Sequence, residues 1–220
     1  MSLAGPGRDC PLCPRLAAFR AQARLREPDW FNAPVPSLGE PARARLLVVG
    51  LAPGLRGANR TGRPVTGDFA GELLYATLLR HGFASGTFAA RIDDGLQLTD
   101  CMISNAVRCV PPQNKPLPIE IHTCRPFLRA TLEAIPALDA VVALGRVAHE
   151  SVLRAFAVPL ATAPFGHGAG HGLARADGRR IQLFDSYHCS RYNTNTGVLT
   201  AAMFDAVFAR VRSFLLAIAS

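Results

Sequence analysis

The chain has 220 residues, of which 49% are hydrophobic, and its 24 basic and 16 acidic side chains give it a formal charge of +8. This length argues against several domains, and we predict one domain over residues 1–220 with a sizeable buried core. The basic excess disfavours an acidic small molecule and favours a polyanionic partner such as nucleic acid. Lys115 is the only lysine, so nearly all of the basic residues are arginines. A GC-rich genome favours arginine over lysine, and this bias would also produce the positive charge.

The sequence contains no pattern of a targeting segment or a membrane span. The amino terminus lacks the apolar core of a signal peptide, and no stretch reaches the roughly 20 apolar residues that cross a bilayer. We therefore expect a cytoplasmic monomer that contacts no membrane. In a reducing compartment, the six cysteines indicate a metal site or a catalytic thiol rather than disulfides.

Strands and helices are predicted to alternate along the chain. Short β-prone apolar segments cover residues 45–51, 96–109, 138–145 and 179–188. Helical patterns cover residues 71–82, 118–135, 145–156 and 199–215. Near-continuous apolar strands between amphipathic helices predict an α/β fold with a mostly parallel sheet covered on both faces, whose sites lie at the carboxyl ends of strands. The proline-rich residues 27–42 are predicted to form an extended arm.

The first predicted strand runs into the glycine-rich loop "GLAPGLRGANRTGRPVTGD", Gly50 to Asp68. The loop has neither the glycine spacing of a dinucleotide-binding turn nor the lysine of a Walker loop, so it is not predicted to cradle a nucleotide. Its glycines let the backbone approach a ligand closely, and its arginines suit an anionic one. Asp68 precedes a predicted helix, so from its position alone it caps that helix.

Four cysteines are predicted to share one site. Cys10 and Cys13 form a C-x2-C pair, whereas Cys109 and Cys124 lie in two distant segments. Four thiolates from three segments can close either a zinc site or an iron–sulfur cluster, and their spacing does not decide between the two. Either centre would staple the amino-terminal arm to the sheet.

Three ordered segments resemble the uracil-DNA glycosylase superfamily, most closely its iron–sulfur family 5 (the type b enzymes) and then family 4. They are the glycine-rich loop, "ISNAVRCVPPQNKP" and "HCSRYNTNTG", with the C-x2-C pair ahead of them. The resemblance covers nearly the whole chain. It implies a three-layer α/β/α sandwich, a [4Fe-4S] cluster bound by the four cysteines, and removal of uracil and other deaminated bases, such as hypoxanthine and xanthine, from DNA.

The resemblance also implies the residues of the active site. Asp68 and His188 match the catalytic positions, where an acid stabilises the sugar cation or orients water and a histidine donates to the leaving base. The residues implied to bind the flipped base are Gly50, Ala52, Asn105 and Phe69. Related families usually have a phenylalanine that stacks on the base where this chain has Val65, so Phe69 is the expected substitute. The third segment has Cys189 where a proline is common.

DNA contacts are expected beside this site, because a base must be flipped out of the duplex before it can be attacked. Arginine, lysine and small residues can bond to phosphates, and Arg191 and Tyr192 can also wedge into the base stack. The predicted DNA-binding residues are Arg60, Arg63, Lys115, Ser190, Arg191, Tyr192 and Asn193.

Two alternatives remain at this stage. A non-catalytic, cluster-bearing DNA-binding protein would keep the charge and the cysteines but would not need Asp68 and His188, and a flavodoxin-like enzyme would need a phosphate fingerprint that is missing. His167 and His171 in "FGHGAGHG" have a spacing seen in metal sites. A flexible glycine-rich loop holds ligands poorly, so we interpret this segment as a mobile surface loop that contacts DNA.

Overall fold

A computed structural model describes residues 5–219 of the chain. Its main sheet has five strands, in the spatial order β4-β1-β5-β7-β6, with the bounds β1 (Leu46–Gly50), β4 (Cys101–Asn105), β5 (Ala140–Leu144), β6 (Gly170–Ala174) and β7 (Arg180–Ser186). All neighbouring strands are parallel except β6, which runs antiparallel to β7 at one edge. Two short strands, β2 (Ala84–Ser85) and β3 (Gln97–Leu98), form a separate antiparallel pair.

Seven helices accompany the strands in the described part of the chain: α1 (Pro14–Arg26), α2 (Ala58–Thr61), α3 (Phe69–Arg80), α4 (Pro118–Glu133), α5 (Arg146–Ala155), α6 (Arg191–Asn195) and α7 (Ala201–Ala217). Short 3-10 turns cover Pro112–Asn114 and Leu160–Thr162. Within these described residues, no helix is both long enough and apolar enough to cross a membrane.

The sheet is the middle layer of three. Successive side chains of a strand point to opposite faces, so Leu46 and Val48 join the apolar cluster under α3 and α7. Leu47 and Val49 join the cluster under α4 and α5. Every residue of β1, β4 and β5 is buried, which explains their uninterrupted apolar sequences. The predicted α/β fold with helices on both faces of a mostly parallel sheet is therefore confirmed.

Local sequence signals set several helix ends. Asp68 caps α3, and Thr200 caps α7 by accepting from the Met203 amide. Pro118 opens α4 at its first turn, where a missing backbone N–H costs nothing. The proline-rich arm lies along the outer edge of β4, where Leu38 and Ile103 exchange two backbone hydrogen bonds of 2.9 Å.

Three segments differ from the sequence prediction. Residues 96–109 were expected to form one strand, but the backbone turns at Asp100 (φ 53°) between β3 and β4. His171 lies within the edge strand β6 rather than in a loop. The helix α1 was not foreseen, because it turns only Leu16, Arg20 and Ala23 inward and so lacks a wide apolar stripe.

Candidate active site

The loop after β1 brings Asp68 to the carboxyl edge of the sheet. Its Oδ1 atom accepts a hydrogen bond of 3.1 Å from the Gly71 amide and so caps α3. Its Oδ2 atom lies over the glycine-rich loop, where a Cβ atom would come within 3.2 Å of it at Gly54 and 3.1 Å at Gly57. Glycine at these two positions therefore leaves room for the carboxylate, which remains exposed to solvent.

His188 follows β7 and faces the same region. Its backbone carbonyl accepts a hydrogen bond of 2.8 Å from Asn193 Nδ2, which fixes the turn into α6. Burial lowers the pKa of the imidazole, and the negative charge of Asp68 partly offsets that effect. The pair is thus close enough to interact electrostatically, and His188 is favoured in its neutral form near pH 7.

Asp68 and His188 line one cleft of about 600 Å³, a size typical of sites for small organic groups. The cleft also contains Ala52, Phe69, Ser190, Arg191 and Tyr192, all of which the sequence placed in the site. Its complete lining is Leu51, Ala52, Gly54, Gly67, Asp68, Phe69, Ala70, Asn114, His188, Ser190, Arg191 and Tyr192.

Gly50 and Asn105 are register partners at the ends of β1 and β4. A Cβ atom at Gly50 would lie 2.5 Å from Asn105 Oδ1, so glycine is required for the amide to occupy this place. Asn105 is only 3% exposed, and neither it nor Gly50 is among the residues that line the cleft. Val65 approaches the same place, with its Cγ2 atom 3.7 Å from the Gly50 Cβ position. Its φ of 48° is an unusual value for a β-branched residue.

Several predicted DNA-binding side chains surround the cleft. Arg60, Lys115, Arg191 and Tyr192 are exposed, and Tyr192 is 74% exposed despite its apolar ring. The Arg191 guanidinium lies 5.9 Å from the centroid of the Phe69 ring. These positions leave the four side chains accessible to a large anionic ligand.

The prediction that Arg63 binds DNA is wrong. Arg63 is 2% exposed, and its Nη1 atom donates to both carboxylate oxygens of Asp94 at 2.9 Å. Its guanidinium also packs against the rings of Tyr75 and Phe88, at 4.6 and 5.4 Å from their centroids. Arg63 therefore anchors the loop that carries Asp94 and cannot reach a phosphate.

Asn114 is a cleft residue that the sequence analysis missed. It lies at the end of the turn Pro112–Asn114 with a φ of 56°, a conformation that asparagine tolerates better than most residues. The available signal was the motif "PPQNKP", in which only the lysine was singled out.

The four predicted ligand cysteines meet at a second place, between α1 and α4. Together they line a small cavity whose walls are otherwise Pro6, Leu12, Leu16, Arg20, Val107, Thr123 and Phe127. None of the six cysteines forms a disulfide bond within residues 5–219. Cys101 and Cys189, which were not assigned to the site, are fully buried elsewhere.

The surroundings of these sulfurs fit a thiolate-bound metal centre. Arg20, only 4% exposed, donates from Nη1 to Cys109 Sγ at 3.2 Å, and the Arg108 amide donates to Cys124 Sγ at 3.3 Å. Burial raises the pKa of Cys109 to about 12 and that of Cys124 to about 11. Thiolates at these positions need cationic compensation, which a metal centre and the Arg20 guanidinium would provide together.

Comparison with known proteins gives consistent matches over most of the chain. The sequence model of the uracil DNA glycosylase superfamily matches residues 36–212. A type-5 uracil-DNA glycosylase of Thermus thermophilus is 45% identical over 201 residues, which make up 89% of each chain. Another type-5 protein, from Pyrobaculum aerophilum, is 38% identical over 92% of this chain and 87% of its own. A type-4 uracil-DNA glycosylase of Archaeoglobus fulgidus is 32% identical over 70% of this chain and 69% of its own.

Proposed function

The chain belongs to the uracil-DNA glycosylase superfamily, and from that membership we propose that it hydrolyses the bond between uracil and deoxyribose in DNA. The observation that carries this proposal is the pair formed by Asp68 and His188, an acid and a neutral imidazole lining one cleft. A protein that only bound DNA would have no use for such a pair. The type-5 relatives, which are named for this activity and align over most of the chain, support the same conclusion.

The reaction requires the nucleotide to leave the duplex. Flipping costs a few kcal/mol, which contacts to the flanking strand have to offset. Arg60, Lys115 and Arg191 are exposed around the cleft and can donate charge-assisted hydrogen bonds to phosphates. Tyr192 extends from α6 and can occupy the gap that the flipped base leaves in the stack.

The chemistry follows from the charge that develops during cleavage. As the C–N bond breaks, the sugar becomes positive and the base becomes negative. Asp68 Oδ2, which the cap interaction leaves unused, can stabilise the sugar or orient the attacking water. His188, neutral near pH 7, can donate its N–H to an oxygen of the departing base. The two groups thereby act on opposite ends of the same bond.

We also propose that the cysteine cavity holds a [4Fe-4S] cluster. The four thiolates of Cys10, Cys13, Cys109 and Cys124 would be its ligands. A bound cluster supplies iron–sulfur bonds that tie α1 and the segment before it to α4 and to the loop after β4. The chain's own contribution is the burial of the sulfurs and the hydrogen bonds to two of them.

The substrate range is proposed to include deaminated purines such as hypoxanthine and xanthine. Val65, which lies beside Gly50, has a smaller side chain than the phenylalanine that usually occupies this position in related families. A smaller side chain gives less stacking area but leaves more room for a bicyclic base. Phe69 lines the cleft and can supply the aromatic face.

The reaction is proposed to end at an abasic site. Strand cleavage by a lyase needs an amine that forms a Schiff base with the opened sugar, and Lys115 is the only lysine. Reaction on DNA with borohydride should therefore trap no covalent adduct, and an adduct at Lys115 would show lyase activity.

The decisive experiment uses oligonucleotides that each contain one uracil, hypoxanthine or xanthine. Wild-type protein should generate abasic sites, detected by alkaline cleavage, whereas Asp68→Asn should bind the same DNA and release little base. If wild-type protein binds these oligonucleotides but releases none of the bases, the chain is a non-catalytic DNA-binding protein instead.

A further inference from the structure

Three side chains converge directly behind the loop that carries His188. They are His149 on α5, His171 on β6 and Asp185 on β7, and one ligand atom from each lies within 4.8 Å of the others. His149 and Asp185 are 1% and 0% exposed. Their elements differ from those that bring the four cysteines together, so this cluster is separate from the cysteine cavity.

The hydrogen bonds of His149 leave one nitrogen directed at the carboxylate. Its Nε2 atom donates to the Ala163 carbonyl at 2.9 Å, and its Nδ1 atom lies 2.7 Å from Asp185 Oδ1. Histidine ligands of metals typically donate their other N–H to a carbonyl in this way, which fixes the ring and its tautomer. Without a cation, the contact with Asp185 requires a shared proton.

His171 has a nitrogen without a hydrogen-bond partner. Its Nε2 atom is buried and forms no hydrogen bond within residues 5–219, and it lies 3.4 Å from Asp185 Oδ2. The other neighbour of that oxygen is the Gly166 amide, also at 3.4 Å. A buried polar atom is normally paired, so the unpaired Nε2 atom, close to Oδ2, has unused capacity to bind a ligand.

The surroundings favour a cation at this point. Asp185 is 0% exposed, and a carboxylate buried beside two imidazoles needs a compensating positive charge. The Phe165 ring packs at 5.5 Å from the His149 ring and forms an apolar wall. The His171 side chain is 15% exposed, which leaves a way in for an ion and for a water ligand.

We propose that His149 Nδ1, His171 Nε2 and the Asp185 carboxylate bind a divalent transition-metal ion, with Zn²⁺ as the natural occupant. Two imidazoles and one carboxylate suit Zn²⁺, Co²⁺ and Ni²⁺ better than Mg²⁺ or Ca²⁺. Three protein ligands leave one tetrahedral position for water. The ion would tie α5, β6 and β7 together, and Asp185 is only three residues from His188, so the ion would stiffen the backbone that carries the imidazole.

This assignment does not depend on the glycosylase proposal, so the test measures metal rather than activity. Anaerobically purified protein with its cysteine site filled is titrated with Co²⁺ after mild chelation. We expect one Co²⁺ per chain with visible d–d bands and without a thiolate-to-cobalt charge-transfer band, and displacement of Co²⁺ by Zn²⁺. Wild-type protein that binds no Co²⁺ beyond its cysteine site would overturn the proposal, and His149 and Asp185 would then form only a buried ion pair.

Variants test the ligand set. His171→Ala should weaken Zn²⁺ binding by more than the about 10–100-fold that loss of an outer-shell partner typically costs, and Zn²⁺ should no longer raise its melting temperature. His122→Ala, which removes an exposed histidine from α4, should bind Zn²⁺ like wild type. Asp185→Asn should also lose the ion, and if burial of that residue prevents folding, His171→Ala on the edge strand decides alone. Unchanged Zn²⁺ affinity in His171→Ala would refute the assignment.

Discussion

Asp68 accepts a hydrogen bond of 3.1 Å from the Gly71 amide through one carboxylate oxygen, while its second oxygen lies over the glycine-rich loop. A purely structural helix cap and a catalytic acid are therefore not competing explanations, because each uses a different oxygen. The cap fixes the side chain, and a fixed side chain holds the free oxygen in place for the chemistry.

This division of labour predicts different effects for two substitutions. Asp68→Asn keeps a capping oxygen but loses the charge, so its melting temperature should stay near that of wild type. Single-turnover excision should slow on every substrate by about 2.7–4 kcal/mol, as for one preorganised electrostatic group. Asp68→Ala should slow excision by the same amount. Because it also removes the helix cap, its free energy of unfolding should fall by about 1 kcal/mol. Near-wild-type rates in Asp68→Asn would show that Asp68 acts only as a helix cap and not in catalysis.

The environment of His188 predicts how the acid limb of the pH–rate profile should shift when Asp68 is replaced. Burial holds the pKa of His188 below the usual range, and the Asp68 carboxylate raises it. His188 therefore stays neutral, and its contribution to stability is complete, at pH values above the usual histidine pKa. Both are lost as the pH falls through the lowered pKa of the folded state. Asp68→Asn removes the negative charge that raises the His188 pKa. The acid limb of the single-turnover rates should therefore move to lower pH. A shift to higher pH would argue against electrostatic coupling of the pair.

The sequence predicts best what local pattern determines. The strands β1 and β5 were foreseen because burial on both faces leaves an uninterrupted apolar run, and Asp68 was foreseen as a cap because it precedes a helical pattern. The strand β6 was not, because the sequence GHGLA becomes a strand only by pairing with β7. The cytoplasmic location and the monomeric state stay predictions.

Side-chain pairing between distant segments was out of reach of sequence reasoning. Nothing near Arg63 in the sequence indicates Asp94, which is 31 residues away, so an arginine in a glycine-rich loop was taken for a phosphate ligand. Likewise His149 and Asp185 are 36 residues apart and only the fold brings them together. The cleft residues were recovered through the family resemblance of their motifs, which follow β1 and β7, two strands that β5 separates in the sheet.

The corrected position of Arg63 predicts a contrast with Arg60. Arg63→Ala leaves the buried Asp94 carboxylate with two backbone amide donors but without its cationic partner, so the free energy of unfolding should fall by as much as about 3–5 kcal/mol. Arg60→Ala, in the same loop but exposed, should leave that free energy unchanged. It should instead weaken DNA binding. The slope of the logarithm of the DNA association constant against the logarithm of the salt concentration should become smaller in magnitude by about 1. Chemical denaturation and salt-dependent anisotropy measure the two effects, and the reverse pattern would contradict the assignment.

Arg20 predicts the behaviour of the proposed cluster. Its guanidinium is the one buried charge that donates to a predicted ligand, Cys109, among the described residues. Arg20→Met keeps the length of the side chain but removes the charge and the hydrogen bond. The reduction potential should therefore become more negative, and iron should be lost faster in air. Voltammetry and iron per chain are the measurements, and Arg26→Met, at the exposed end of α1, should behave like wild type. An unchanged potential in Arg20→Met would rule out this role.

Val65 predicts how the substrate range can be narrowed. Its Cγ2 atom lies 3.7 Å from the Gly50 Cβ position beside the buried Asn105 amide, so we expect a larger side chain here to crowd the place where these two residues meet. Val65→Phe should add stacking area for uracil but remove the room that a bicyclic base needs. We expect the ratio of hypoxanthine to uracil excision to fall by about 10-fold or more, the scale on which apolar pockets discriminate by size.

Val65→Ile, which adds one methylene without an aromatic ring and keeps the β-branch in the same backbone conformation, is the matched control and should change the ratio far less. An equal loss of both activities in Val65→Phe would indicate loop distortion rather than a narrower base site.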